Sequence, residues 1–147
     1  MINGFFSKKH TLKLMVSIID IMEDIKKIVE DLGNNSLESN IGLAGVAVIA
    51  DSKELIFQTI NWDLHNLQTA ISSLIEGDSS FILNDTKFNI VEKTSEGIIA
   101  ASPDGRGYVL FLPFQGGVLL SYAMPQSDPK EGLEFLKKYA KKLDGKV

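Results

Sequence analysis

The stretch from Ser79 to Leu143, SSFILNDTKFNIVEKTSEGIIAASPDGRGYVLFLPFQGGVLLSYAMPQSDPKEGLEFLKKYAKKL, decides the fold. Phe81-Ile-Leu, Phe88-Asn-Ile-Val, Gly97-Ile-Ile-Ala, Tyr108-Val-Leu-Phe-Leu and Gly117-Val-Leu-Leu-Ser-Tyr are short runs of branched and aromatic residues. Turn residues bound each run: Asn84-Asp85, Thr94-Ser95, Pro103-Asp104-Gly105 and Gln115-Gly116. Such close spacing leaves no room for crossover helices, so it predicts antiparallel neighbours. Ser127-Asp128-Pro129-Lys130-Glu131 then opens a helix. Asp128 suits the cap, Pro129 the first helical position and Glu131 the far side of a capping box.

A chain of 147 residues can bury a substantial core as one domain. There is no cysteine, which excludes disulfides and thiolate chemistry. Two isolated histidines make a poor zinc site, and a net charge of −4 argues against general nucleic-acid binding. The basic residues of Met1-Ile-Asn-Gly-Phe-Phe-Ser-Lys-Lys-His follow its apolar pair, contrary to a signal peptide. No stretch approaches the ~20 apolar residues of a membrane span. The expectation is a cytoplasmic protein.

Upstream, residues 1–10 read as a flexible arm whose Phe5 and Phe6 dock on the body, and residues 11–147 as one domain. A helix is predicted from Thr11 to Leu32: Leu14, Ile18, Met22, Ile25, Val29 and Leu32 recur every three to four residues, and Gly33 is a natural stop. Its apolar stripe is expected to lie on a sheet; the alternative is an exposed stripe that awaits a partner. After a polar linker, Leu43-Ala-Gly-Val-Ala-Val-Ile-Ala is apolar on both faces and predicts a covered central strand. Glu54 to Ile60 is the returning strand. Asn61-Trp62-Asp63 is read as the cap of a short helix with the inner stripe Leu64, Leu67, Ile71, Leu74 and Ile75, ended by Gly77. The class is α+β.

Catalytic patterns are missing. There is no nucleophile elbow and no phosphate loop. Asp104-Gly105-Arg106-Gly107 is explained by a turn between strands. His10, in the arm, and His65, assigned to the short helix, have no partner at a catalytic spacing, and Glu23-Asp24 and Glu30-Asp31 read as a solvated helix face. On the residues alone this is a small binding domain with no cofactor.

The ordered set of motifs from Asp85 to Leu143 resembles the C-terminal half of profilins. Thr86-Lys87-Phe88 is similar to the family's Thr-Lys-Tyr. Ile98-Ile99, Gly105-x-Gly107, Gln115, Tyr122-x-x-Pro125 and Asp128-Pro129 follow at matching spacings, with Tyr139 in the last helix. Ile49 to Gln58 resembles the family's strand-turn-strand, with Phe57 where profilins carry a tryptophan. The composition, rich in Ile, Lys and Asn, is most similar to the divergent profilins of Asgard-type archaea.

The resemblance implies a profilin-like α+β fold: a central antiparallel sheet, the N- and C-terminal helices on one face and a short helix on the other. It implies a non-enzyme that binds monomeric actin, suppresses its nucleation, stays monomeric and works in the cytoplasm and cytoskeleton. Carried over by position, the actin face would comprise Lys87, Asn89 and Val91, which alternate on one strand, with Pro129, Lys130, Glu134, Lys137 and Lys138 from the helix. The strand Tyr108 to Phe114 would add an apolar strip if one of its faces were open. The family's polyproline groove would fall to Phe5, Phe6, Phe57 and Tyr139; without stacked tryptophans, weak or no binding is expected. Lys137, Lys138, Lys141 and Lys142 could meet anionic phospholipid. The rival is a roadblock-type domain, a dimeric scaffold for small GTPases, which Gly45 to Ser52 would suit.

Overall fold

The computed structural model describes residues 2–59 and 61–147, with side chains from residue 18 onward. The apolar runs become strands β1 (Leu43–Ala50), β2 (Leu55–Gln58), β3 (Ser80–Leu83), β4 (Thr86–Lys93), β5 (Ile98–Ala101), β6 (Tyr108–Phe114) and β7 (Gly117–Ala123). They form one sheet in the order β2-β1-β7-β6-β5-β4-β3, with every pair antiparallel. Tight turns link consecutive strands from β3 to β7, as the spacing predicts. The first hairpin attaches at the other end, where β1 pairs with β7.

Two apolar layers flank the sheet. On one face α1 (Ile2–Glu38) and α3 (Pro129–Leu143) bury Ile25, Val29, Leu32, Leu136 and Leu143 against Val46, Val48, Ile99, Leu110 and Leu119. On the other, α2 (Leu67–Glu76) and Trp62 cover Ala47, Ile49, Phe88, Ala100, Val109 and Leu120. The alternation along β1 sends Val46 and Val48 one way and Ala47 and Ile49 the other, so that strand is covered on both faces. This α+β arrangement, two terminal helices on one face of an antiparallel sheet and a short helix on the other, is the one the resemblance implies.

Strand β6 settles in the same manner: Leu110 and Leu112 enter the first layer, Val109 and Phe111 the second. Its central residues are covered on both faces, and its end, Pro113 and Phe114, reaches the surface.

Helix α1 exceeds its predicted bounds at both ends and takes in residues 2–10, set apart above as an arm. The expected docking of Phe5 and Phe6, and the setting of His10, lie outside the described side chains. Gly33 is passed in helical conformation, because a glycine weakens a helix by only about 1 kcal/mol and the buried Ser36 anchors the next turn. The stop is Asn40, at φ 56°, with the Ile41 N–H bonded to the Ser36 carbonyl. Helix α2 starts later than expected. Asn61-Trp62-Asp63 does not cap it; Asn66, in left-handed conformation, precedes its first turn. Trp62 is a core residue, Ala70 joins the inner stripe, and Ile75 faces solvent. His65 lies before the helix, exposed, 3.6 Å from Asp63.

At α3 the Asp128 carboxylate accepts from the N–H groups of Lys130 (3.0 Å) and Glu131 (3.4 Å), with Pro129 in the first turn. The reciprocal bond from Glu131 does not form among the described residues. Asp128→Ala is expected to cost about 1 kcal/mol, read as a lowered midpoint in urea unfolding at unchanged slope. An unchanged midpoint would show that water replaces this cap at no cost.

Candidate functional site

A sheet of seven strands at ~4.8 Å spacing is wider than two packed helices can roof, at ~8–10 Å between axes. On the α1/α3 face the ends of the sheet are therefore open, β2 at one edge and β4 with β3 at the other. Lys87 lies opposite Ile82 on β3, and Asn89 opposite Ser80. Phe88, between them, points into the α2 layer, so Lys87 and Asn89 face the α3 side. Ile82 is 54% exposed beside Lys87.

The alternation expected to carry Val91 onto the same face is broken. The β4–β5 register shifts between Ile90 and Glu92, so Glu92 sits opposite Ile99, a residue of the α1/α3 layer. Val91 is the extra residue of a β-bulge, 61% exposed, and Glu92 takes the place in phase with Lys87 and Asn89. Lys130, in the first turn of α3, stands 3.9 Å from Glu92.

Further along α3, Lys137 bonds to Glu134 one turn back at 2.7 Å and to Glu96 in the β4–β5 turn. The bonds to Glu134 first, and to Glu96, hold the Lys137 ammonium above its ordinary pKa. Lys138 lies over the Phe135 ring at 5.4 Å. Pro129 is half-buried at the helix start, and Glu134 is exposed. A groove of about 740 Å³ opens beside this cluster, floored by Leu112, Pro113, Phe114 and Ala140. The predicted helix and strand residues thus meet on one face, but as alternating charges. Sequence reasoning missed Ile82, Glu92 and Glu96. The Glu134–Lys137 spacing was readable as a helical ion pair, whereas Glu92 and Glu96 depend on a bulge and a turn that no local pattern signals.

Phe57 and Tyr139 do not share an open groove. Tyr139 is 1% exposed, its hydroxyl accepts from Asn35 Nδ2 at 2.7 Å, and its ring packs on Phe135. Phe57 lines a different groove, about 1040 Å³, on the far flank of α1 above β2. Of the four lysines considered for lipid, Lys138, Lys141 and Lys142 are exposed, with Lys142 over the Tyr139 ring at 5.1 Å.

Among the described residues no group of three or more histidine or acidic side chains could hold a metal ion, and no helix is long and apolar enough to cross a membrane. No family model matches the chain. Loki profilin-1 of Lokiarchaeum sp. (strain GC14_75) is 32% identical over 132 residues, 82% of this chain and 96% of the relative. Odin profilin of Odinarchaeota yellowstonii (strain LCB_4) is 25% identical over 115 residues, 78% of this chain and 94% of that one. Among solved structures, the complex of LokiProfilin1 with rabbit actin contains a chain that superposes with a TM-score of 0.76 at 30% identity, covering 85% of this chain and 97% of that one. A profilin of Acanthamoeba castellanii, at 15% identity and a TM-score of 0.61 over 74% of this chain and 90% of its own, shares the fold. These matches give the roadblock alternative no support.

Proposed function

The chain belongs to the profilin family, and from that premise we propose that it binds monomeric actin and suppresses spontaneous nucleation. The observation that carries the proposal is the 30% identity, over nearly the whole domain, to a profilin crystallised with rabbit actin. A second Loki profilin, also 30% identical, is likewise known in complex with rabbit actin. The proposed activity is a binding equilibrium with no covalent step, exercised in the cytoplasm at the cytoskeleton.

The proposed contact surface is the open end of the sheet with the adjoining flank of α3. Lys87 and Asn89 project from β4, Val91 stands out at the bulge, and Pro129, Lys130, Glu134, Lys137 and Lys138 form the helical side. The geometry adds Ile82, Glu92 and Glu96. Alternating charge suits this task, because complementary charges on the partner steer encounter and fix register more than they raise affinity. In a pyrene-actin assay, titration of the protein is expected to lengthen the nucleation lag in proportion to concentration. An unchanged lag with the host's own actin would remove the proposal.

Proline-rich peptide binding is expected to be weak or absent, since the Tyr139 ring and hydroxyl are already occupied within the fold. Isothermal titration with a decaproline peptide should give no saturable heat up to about 1 mM, the range of very weak complexes. Micromolar binding would require an aromatic platform elsewhere on the chain.

A further inference from the structure

The sheet has two edges, and they are not alike. At β3 the loop before α2 reaches the strand end: the Asn84 N–H donates to the His65 carbonyl, and the Asn84 side chain accepts from the His65 N–H. No described residue does the same for β2, the strand at the opposite edge. The Thr59 N–H bonds the Val46 carbonyl at 2.9 Å, and Gln58 lies opposite Ala47. In an antiparallel ladder that register turns the N–H and C=O of Gln58 outward, away from β1. Leu55-Ile-Phe-Gln carries neither charge nor proline, the usual guards of an open edge.

The groove of about 1040 Å³ follows this edge. Phe57 and Leu43 line it from the sheet and Val29 from α1, with Leu37, 80% exposed, at the helical rim. The side-chain oxygen of Gln58, another lining residue, is buried without a donor among the described residues, and a buried acceptor left bare is costly. The occupant that fits is apolar on one side and carries free backbone donors and acceptors. An acyl chain or a small apolar ligand would fill the groove and leave the edge unpaired. A helix has its backbone bonds closed internally. A polyproline segment has no N–H for the Gln58 carbonyl. An extended chain meets both needs: its N–H and C=O groups pair with the edge, and alternate side chains enter the groove.

We propose that β2 is a docking edge for an extended, proline-free apolar segment of another protein, which adds to the sheet as a further strand and lays every second side chain in the groove beside α1. The test uses a soluble peptide of about eight residues, within the ordinary length of a strand, alternating valine and threonine with a lysine at each end. Titrated into the isotope-labelled full chain, it should slow amide exchange at Gln58 at least about tenfold and saturate by about 1 mM, the range of weak complexes. N-methylation of its central residues should abolish the protection, and decaproline should give none. Gln58→Pro removes the outward N–H at an edge position, where proline is tolerated, and should weaken binding at least about tenfold; the emission of Trp62 reports whether that variant keeps its fold. Leu37→Lys, at the exposed rim, should weaken binding severalfold with the sheet untouched. Unchanged exchange at Gln58 up to about 1 mM peptide overturns the proposal. So does equal binding of the N-methylated peptide, which would make the groove a general apolar site. Protection of Gln58 that rises with protein concentration alone would give the edge to a second copy and overturn it as well.

Discussion

Reversing two charges, Lys87→Glu and Lys137→Glu together, is expected to abolish suppression of actin nucleation at concentrations where the wild type lengthens the lag severalfold. The two sites act differently. Lys87 has no carboxylate at ion-pair distance among the described residues and stands beside the exposed Ile82, so reversal changes the potential of an open surface. Lys137 is held between Glu134 and Glu96, and reversal there brings three carboxylates together where one ammonium had been shared. Repulsion splays the β4–β5 turn away from α3 and disrupts the face as well as its charge. A loss of affinity of at least about tenfold, or about 1.4 kcal/mol, is expected for the pair. Lys87→Glu alone should act chiefly on the association rate and fade with added salt. Lys137→Glu alone should recover only in part at high salt: added salt screens the repulsion among the exposed carboxylates, but the bonds by which Lys137 ties α3 to the β4–β5 turn stay lost. Lys53→Glu, in the β1–β2 turn at the other end of the sheet, should leave the lag as in the wild type. Full suppression by the double variant, with a normal thermal transition, would move the contact surface off this face.

How far the sequence leads here depends on how local each determinant is. The strand meander, its turns and the Asp128 cap are set by residues a few positions apart, and the structure places them where those residues predict. The two-sided burial of β1 was equally legible, because eight consecutive apolar or small residues allow no solvated face. The end of α1 was not. Gly33 has the composition of a stop, but Ser36 is held inside by contacts to the strand that follows, and packing overrode the local signal. The same applies to Tyr139: an aromatic residue in a terminal helix reads as a stacking surface until a distant asparagine occupies its hydroxyl. The candidate face shows the limit most clearly. Its residues were nameable from the family pattern, but a single-residue bulge put Glu92 in phase in place of Val91 and set an acid beside Lys130. Period-two reasoning holds only while the register does.

Gly45→Ala should produce a large loss of stability from a small change. Gly45 lies on β1 where its register with β7 slips, and its carbonyl accepts from the hydroxyl of the fully buried Ser121 at 2.8 Å. That bond fixes the backbone locally. Asn61, whose side chain bonds the Ala44 carbonyl, brings Trp62 down over the same point. A methyl group built on Gly45 would stand 2.7 Å from Cγ of Trp62 and 2.8 Å from its Cβ and Cδ2. These are atoms at the root of the indole, so no rotation about the side chain clears them, and the ring must rise as a whole. It would press toward Tyr122, whose ring centre is 6.3 Å away, and open the layer under α2. Overpacking of this kind costs about 1–3 kcal/mol. In a domain of this size each kcal/mol lowers the melting temperature by about 2–4 °C. Trp62 is the sole tryptophan, so its emission should shift to the red as the ring gains solvent. The cause can be isolated: in a Trp62→Ala background the same glycine substitution should cost markedly less, since Cγ and Cδ2 are gone and only the Cβ contact remains. Equal costs in both backgrounds would trace the loss to the backbone at the slipped register instead. Suppression of actin nucleation, measured well below the melting transition, should survive Gly45→Ala, because the indole and the proposed contact surface lie on opposite faces of the sheet.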